Sequence, residues 1–341
     1  MANRLKDYFP LIRERKEVLE EIDASVGLRT IFNSWEQEQR EEFLDFCTGV
    51  KGVKILYDSF FKEIMNPEYA PGRLNQFLSL LIGEKVTIKQ VIPNDSTRIA
   101  AEGSLLITDI VVEFEDGALA DIEIQKIGYA FPGERSACYS ADLLLRQYKR
   151  VREKQRGQKG KFSYKNIKNV YTIVIFEKSP MEIRMLENRY IHKSFWGFDT
   201  GLKMNLLQNF IFIALDIFRK NMENKTVENE LDAWLMFFAS EEPKRIIELI
   251  ESYPGFREIY GDIYEICLNM EKVMGMYSKE LQELDRNTVQ YMIDEMQETI
   301  DAQKQALNEQ SETIKSQAQI ISEQKRQYEE LLRRVEKLEE K

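Results

Sequence analysis

Histidine is nearly absent from this sequence: His192 is the only one in 341 residues. That excludes metal sites built from several histidines and the H-E-x-x-H zinc helix. A Ser–His–Asp triad would have to use His192, and no G-x-S-x-G elbow accompanies it. Cysteine is scarce too. Cys47, Cys138 and Cys267 lie far apart and form no C-x-x-C pair, which excludes a thiolate zinc site and leaves three reduced thiols. No apolar run approaches the roughly 20 residues that a bilayer requires, so no membrane partner is expected. The opening segment MANRLKDYFPLIRERKEVLEEI has no apolar leader, residue 2 is alanine and the chain ends in Lys341, so neither secretion nor lipidation is signalled. The expectation is a soluble, cytoplasmic protein. Any catalysis must rest on carboxylates, amides, lysine and arginine.

Positive charge is also in deficit. The net charge is −10, which argues against a basic coat over the whole surface. Its distribution is uneven, however. Arg146 to Lys168 holds ten Lys or Arg and one acid, Glu153, a local net of +9. An acidic chain with one dense basic stretch can bring a polyanion to a single face. Hydrophobic residues make up 43%, enough for a sizeable core.

The order of elements follows from periodicity and breakers. Residues 4–50 mix acids, bases and spaced apolar residues in a helical pattern. Gly49 and Gly52 break it, YDSFFKEIM (57–65) resumes it, and Asn66-Pro67 stops it. Pro71-Gly72 opens another helix, which ends at Gly83. The period then changes. VTIKQVI (86–92) alternates as a strand. SLLITDIVVEFED (104–116) and ALADIEIQKI (118–127) flank Asp116-Gly117, the signature of a hairpin. Glu134–Lys154 is a long helix, RGQKGK (156–161) a basic loop, and IKNVYTIVIFEK (167–178) a buried strand. NFIFIALDIF (209–218) suits a strand running into a helix, and 226–280 is helical with a stop at Pro254-Gly255. The expected fold is a mixed sheet flanked by helices. Its parts are an N-terminal helical extension (1–50), an α/β core (51–220), a helical segment (221–284) and a tail (285–341).

The tail has neither glycine nor proline. Ile293, Ile300, Leu307, Ile314, Ile321, Tyr328 and Val335 recur every seven residues, a sustained heptad seam. The positions three residues on are Met296, Gln303, Gln310, Gln317, Gln324, Leu331 and Leu338, so glutamine fills the middle of the second core row. A weak parallel coiled coil and a homo-oligomer are expected, because a lone seam has nothing to bury against. A frayed helix docked on its own domain is the alternative.

The hairpin carries the chemistry. Asp109 interrupts the apolar run LLITDIVV, where an ionised carboxylate is costly unless a cation or hydrogen bonds compensate it. Asp121, Glu123 and Gln125 share one face of the next strand by its two-residue period. A tight turn at Asp116-Gly117 makes paired residue numbers sum to 232 or 233. That sets Asp109 against Glu123 or its neighbour, within reach of a shared metal. Two carboxylates with carbonyl and water oxygens suit Mg²⁺. Spacing alone leaves a second reading open, in which acids near strand ends simply face solvent.

At these residues the chain resembles the PD-(D/E)XK nuclease family transposases of bacteria, relatives of the recombination-promoting nucleases. The resemblance is carried by YDSFFKEIMNPEYAPGRLNQFLSLLIGEKV, by SLLITDIVVEFEDGALADIEIQKIGYAFPGERSACYSADLLLRQYKR and by IKNVYTIVIFEKSP. It continues through YIHKSF and DTGL to LDIFRK, covering about Lys51–Lys220. It implies a restriction-endonuclease-like core and a divalent cation, Mg²⁺ or Mn²⁺, on Asp109 and Glu123. It also implies a (D/E)xK element at Glu123-Ile124-Gln125, with Gln125 where the wider superfamily has lysine. Glutamine can orient a water but supplies no charge. Lys126 belongs to the other sheet face of a regular strand. Lys62, Arg135 or Arg146 could donate the missing charge. Asp58 and Glu63 sit where the superfamily sometimes places a further carboxylate, although a solvated helix face also explains them.

Arg146, Lys149, Arg150, Arg152 and Lys154, with the following loop, are expected to contact DNA phosphates. Trp196 could stack on a base or anchor a loop. The expected function is a metal-dependent DNA endonuclease of transposase type, with Asp109, Glu123 and Gln125 catalytic. The alternative is a nuclease-like fold without catalysis, serving as an oligomeric DNA-binding or scaffold protein.

Overall fold

The computed structural model describes residues 4–92, 110–126, 131–157, 162–195 and 197–339. Four helices come first: α1 (Arg4–Tyr8), α2 (Arg15–Ala24), α3 (Val26–Ser34) and α4 (Gln37–Cys47). Two more follow, α5 (Asp58–Ile64) and α6 (Pro71–Ile82). Pro71 opens α6 and Gly83, at φ 93°, closes it, so the breakers read from sequence act where expected.

The strands are β1 (Ile88–Val91), β2 (Ile110–Phe114) and β3 (Leu119–Gln125), then β4 (Val170–Phe176) after the long helix α7 (Pro132–Gly157). Next come α8 (Met181–Arg184), β5 (Ile191–Lys193) and β6 (Gln208–Ala214). The chain ends in helices: α9 (Leu215–Met222), α10 (Glu230–Ala239), α11 (Pro243–Ser252), α12 (Gly255–Leu268) and α13 (Met270–Glu339). Among the described residues the strands form one six-stranded sheet in the order β1-β2-β3-β4-β6-β5. β3, β4 and β6 run parallel, and the other pairings are antiparallel. This is the mixed sheet flanked by helices that the sequence predicts. The short β5 is an addition, because three residues carry no readable alternation.

The β2–β3 turn forms as its residues dictate. Gly117 takes φ 90°, a conformation that disfavours a Cβ, and the Asp116 carboxylate accepts from Ala118 N at 2.9 Å. Alternation along the strands then sorts the two faces. Ala120 and Ile122 on β3, Ile173 and Ile175 on β4, and Ile211 and Ile213 on β6 join the large core with helices α1, α2, α4–α6 and α9–α12. The start of α13 shares that core through Met270, Val273, Met274 and Tyr277. The other face carries two smaller apolar clusters. One joins Ile92, Val111, Leu119 and Val170 to Leu143 of α7; the other holds Val174, Phe176, Ile183, Ala214 and Ile217.

The chain divides into two compact units, Met1–Asn287 and Thr288–Lys341. The helices over 221–284 share the large core of the first unit. The second unit is helical through Glu339 and exposes Ile293, Ile300, Leu307, Ile314, Ile321 and Tyr328 to solvent. Among the described residues, no helix is long and apolar enough to cross a membrane.

Candidate active site

The site is built on the face of β3 that α7 covers. Asp121, Glu123 and Gln125 alternate onto this face at 0%, 8% and 2% exposure. Their neighbours across β4 are Thr172, Val174 and Phe176. Helix α7 closes over them with Ser136, Tyr139 and Ser140, all buried. Ser140 Oγ accepts from Gln208 Nε2 of β6 at 3.0 Å, which ties the helix to the sheet. The result is a polar band between two apolar clusters, an expensive place to keep charge without compensation.

Gln125 is the clearest anomaly in the band. Both polar atoms of its carboxamide are buried and have no hydrogen-bond partner among the described residues. The Thr172 hydroxyl is in the same condition. Buried amides normally find partners, and an orphaned one in a native fold points to a ligand, water or ion. Tyr139 was not singled out by sequence reasoning. Burial pushes its phenol pKa well up, and the Glu123 carboxylate adds to the rise. Arg135, one helical turn before it, opposes the shift by its charge and by a side-chain hydrogen bond, while Asp121 raises it slightly. Tyr139 is thus hydrogen-bonded to Arg135 and feels the charges of the β3 carboxylates. The spacing of Arg135 and Tyr139 at i and i+4 is the sequence signal that could have found the pair.

Asp109 lies outside the described residues, as does Trp196. The pairing beside Asp109 is described: Ile110 faces Ile122, Val111 faces Asp121 and Val112 faces Ala120. These numbers sum to 232, one of the two values that the turn predicts. Among the described residues, no group of three or more His, Cys, Asp or Glu could hold a metal ion.

The remaining candidates divide into two groups. Lys126, one residue past β3, pairs with Glu280 of α13 and lies 6.0 Å from the Tyr57 ring centroid, on the side of the large core. Glu280 also accepts from Asp58 N at 2.8 Å, and Asp58 holds Lys62 at 2.9 Å. The Asp58 backbone N–H is thus tied to Glu280, and its carboxylate to Lys62. Glu63 pairs with Lys272 at 2.5 Å.

Farther along α7, Arg146 is buried with its Nε 2.6 Å from Asp142. Arg150 pairs with Glu113. Burial would raise the Glu113 pKa, but hydrogen bonds from Gln90 and Lys89 and the charge of Arg150 bring it below the usual value. Lys149, Arg152 and Lys154 are exposed. At about 1.5 Å per residue they lie roughly 15–22 Å along the helix from Tyr139. The described part of the basic stretch is thus split between a buried ion pair at Arg146, a half-buried one at Arg150 and a solvent-facing row.

Comparison with characterised proteins returns no match for this chain. The family comparison does, and it reaches beyond the α/β core into the helices that share it. Residues 55–295, more than half of the sequence, match the family model described as PD-(D/E)XK nuclease family transposase, and the chain belongs to that family.

Proposed function

We propose that the chain hydrolyses DNA phosphodiester bonds with the help of a divalent cation, Mg²⁺ or Mn²⁺. Membership of a nuclease family supports the reaction class, and nucleases of this kind typically use divalent metals. The observation that carries the reading is the hairpin. Glu123 and Gln125 share a buried face, and the described pairs sum to 232, one of the two values for which the turn arithmetic of the sequence expects Asp109 against Glu123 or its neighbour. The Asp109 and Glu123 carboxylates are hard oxygen donors, and the orphaned Gln125 carboxamide beside Glu123 would suit a water of the ion's shell, so the chemistry fits a magnesium-like ion. Asp109 and Glu123 would hold the ion. When bound, it would stabilise charge building on the scissile phosphate.

The chain's own groups supply the rest. Gln125 can orient a water through its carboxamide. Arg135 brings a permanent positive charge to the site that lacks the superfamily's lysine, and Tyr139 holds that guanidinium in place. No histidine is needed as a base. Exposed Lys149, Arg152 and Lys154 would contact backbone phosphates. The heptad seam of the tail would join copies of the chain.

The second reading is a nuclease-like fold without catalysis that binds or scaffolds DNA as an oligomer. The nearly complete burial of Gln125 favours it. A supercoiled-plasmid nicking assay with Mg²⁺, Mn²⁺ or EDTA separates the two. The proposal requires nicking that either metal supports and EDTA stops. A plasmid left intact under all three conditions would leave only the second reading.

A further inference from the structure

Beyond the catalytic band, the basic end of α7 carries an aromatic cluster that the fold does not use. Tyr148, Phe162 and Tyr164 pack on one another and join none of the three hydrophobic clusters. Phe162 meets Tyr164 edge-on at 4.9 Å and Tyr148 edge-on at 5.3 Å. The Tyr148 and Tyr164 rings are nearly parallel, 20° apart in plane with centroids 6.3 Å apart. Tyr164 is nevertheless 73% exposed. A large ring held in order yet left in water gains little for folding.

The segment bearing the rings is fixed in place. Gln147 Oε1 accepts from Lys168 N at 2.9 Å, and Gln155 Oε1 accepts from Ser163 N at 3.3 Å. Ser163 caps the short 3-10 turn Tyr164–Asn166. Two side chains of α7 therefore bind the loop that presents Tyr164. Cations flank the rings in sequence. The Arg152 guanidinium lies 6.0 Å from the Tyr148 ring centroid, and Lys149 and Lys165, the residues that follow Tyr148 and Tyr164, are exposed. Glu153 is the one acid in this stretch of sequence.

Rigid exposed aromatics among lysine and arginine are what unpaired nucleotides require. Bases stack on the rings through their π faces, and the cations meet the phosphates. Duplex DNA keeps its bases stacked on one another and offers only phosphates to the same surface. We propose that Tyr164, braced by Phe162 and Tyr148, is a stacking platform for unpaired bases of a DNA strand, with Arg152, Lys149 and Lys165 holding its backbone. This inference rests on the DNA reading above and adds a strand preference to it.

The test measures binding by the full-length protein in EDTA, so that cleavage plays no part. The probes are a fluorescein-labelled DNA single strand of about 20 nucleotides, longer than the roughly 4–16 of a single-strand site, and the same sequence as duplex. Tyr164→Ala should weaken single-strand binding about tenfold and leave duplex binding unchanged. Tyr164→Phe, which keeps the ring and loses only the hydroxyl, should bind as the parent does. Unchanged single-strand affinity in Tyr164→Ala would overturn the platform, as would an equal loss on both probes. If the parent binds neither probe, the DNA reading itself falls and takes the platform with it. Normal duplex binding with an indifferent Tyr164 sinks the platform alone.

Discussion

The role proposed for Gln125 sets activity against stability at a single side chain. Its carboxamide is buried without a partner among the described residues, and such a group costs about 1–3 kcal/mol. Leucine has similar bulk and no polar atoms. Gln125→Leu should therefore raise metal-free stability by about 1–3 kcal/mol in a denaturant titration while removing most plasmid nicking. A variant that loses stability would mean that the amide is satisfied in the folded chain. Glu123→Ala, and Asp109→Ala likewise, should lower nicking about a hundredfold or more and leave the fold intact by circular dichroism. Nicking at the parent's rate by both variants would remove them from the site.

At the scale of elements, the hairpin and α7 were legible because their signals are local. Asp116-Gly117 names its own turn, and the alternation through Leu119–Gln125 assigns each side chain to a face. The partners that lie far along the chain were not legible. Lys126 and Glu280 are 154 residues apart, and neither strand period nor helix period links them. For the same reason the bond from the Asp58 N–H to Glu280 of α13 has no sequence signal.

That contact has a pH signature. Burial raises the Glu280 pKa above its ordinary 4.5, offset by the charge and hydrogen bond of Lys126 and by the Asp58 N–H, with Glu283 adding to the rise. Lys126→Met would remove the main opposing influence and push Glu280 higher still. A carboxyl raised in the folded state favours folding while it is protonated, and that contribution is lost as pH rises through its folded value. Lys126→Met should therefore cost about 3–5 kcal/mol near pH 8, and the loss should shrink as pH falls towards 4.5. Unfolding titrations at both pH values decide it. Lys126→Met with Glu280→Leu should recover most of the loss, because an apolar pair leaves no buried charge unmet. A loss that did not vary with pH would place its origin in packing rather than in Glu280.

At the scale of the whole molecule, assembly is the question that the tail raises. Ile293, Ile300, Leu307, Ile314, Ile321 and Tyr328 are between 44% and 65% exposed, although they recur at a heptad spacing. Most of a helix's stability in a protein comes from packing its apolar face, and this row is left unpacked. Covering one Ile or Leu contributes about 1.5–3 kcal/mol, so even partial burial of this row would hold copies together. The glutamines at 303, 310, 317 and 324 act the other way. Buried amides must find partners across an interface, which weakens the assembly and restricts its register. Sedimentation of the full chain at micromolar concentration should therefore show a dimer or small oligomer that dissociates on dilution. Removing residues 288–341 should give a folded monomer, since the first unit holds its own core. A core that hydrolyses one phosphodiester at a time needs a second core to cut both strands together. The truncated chain should therefore lose double-strand cutting more than nicking, read as the ratio of linear to open-circular plasmid. A full chain that sediments as a monomer would end the assembly argument. An unchanged ratio after truncation would separate assembly from cleavage.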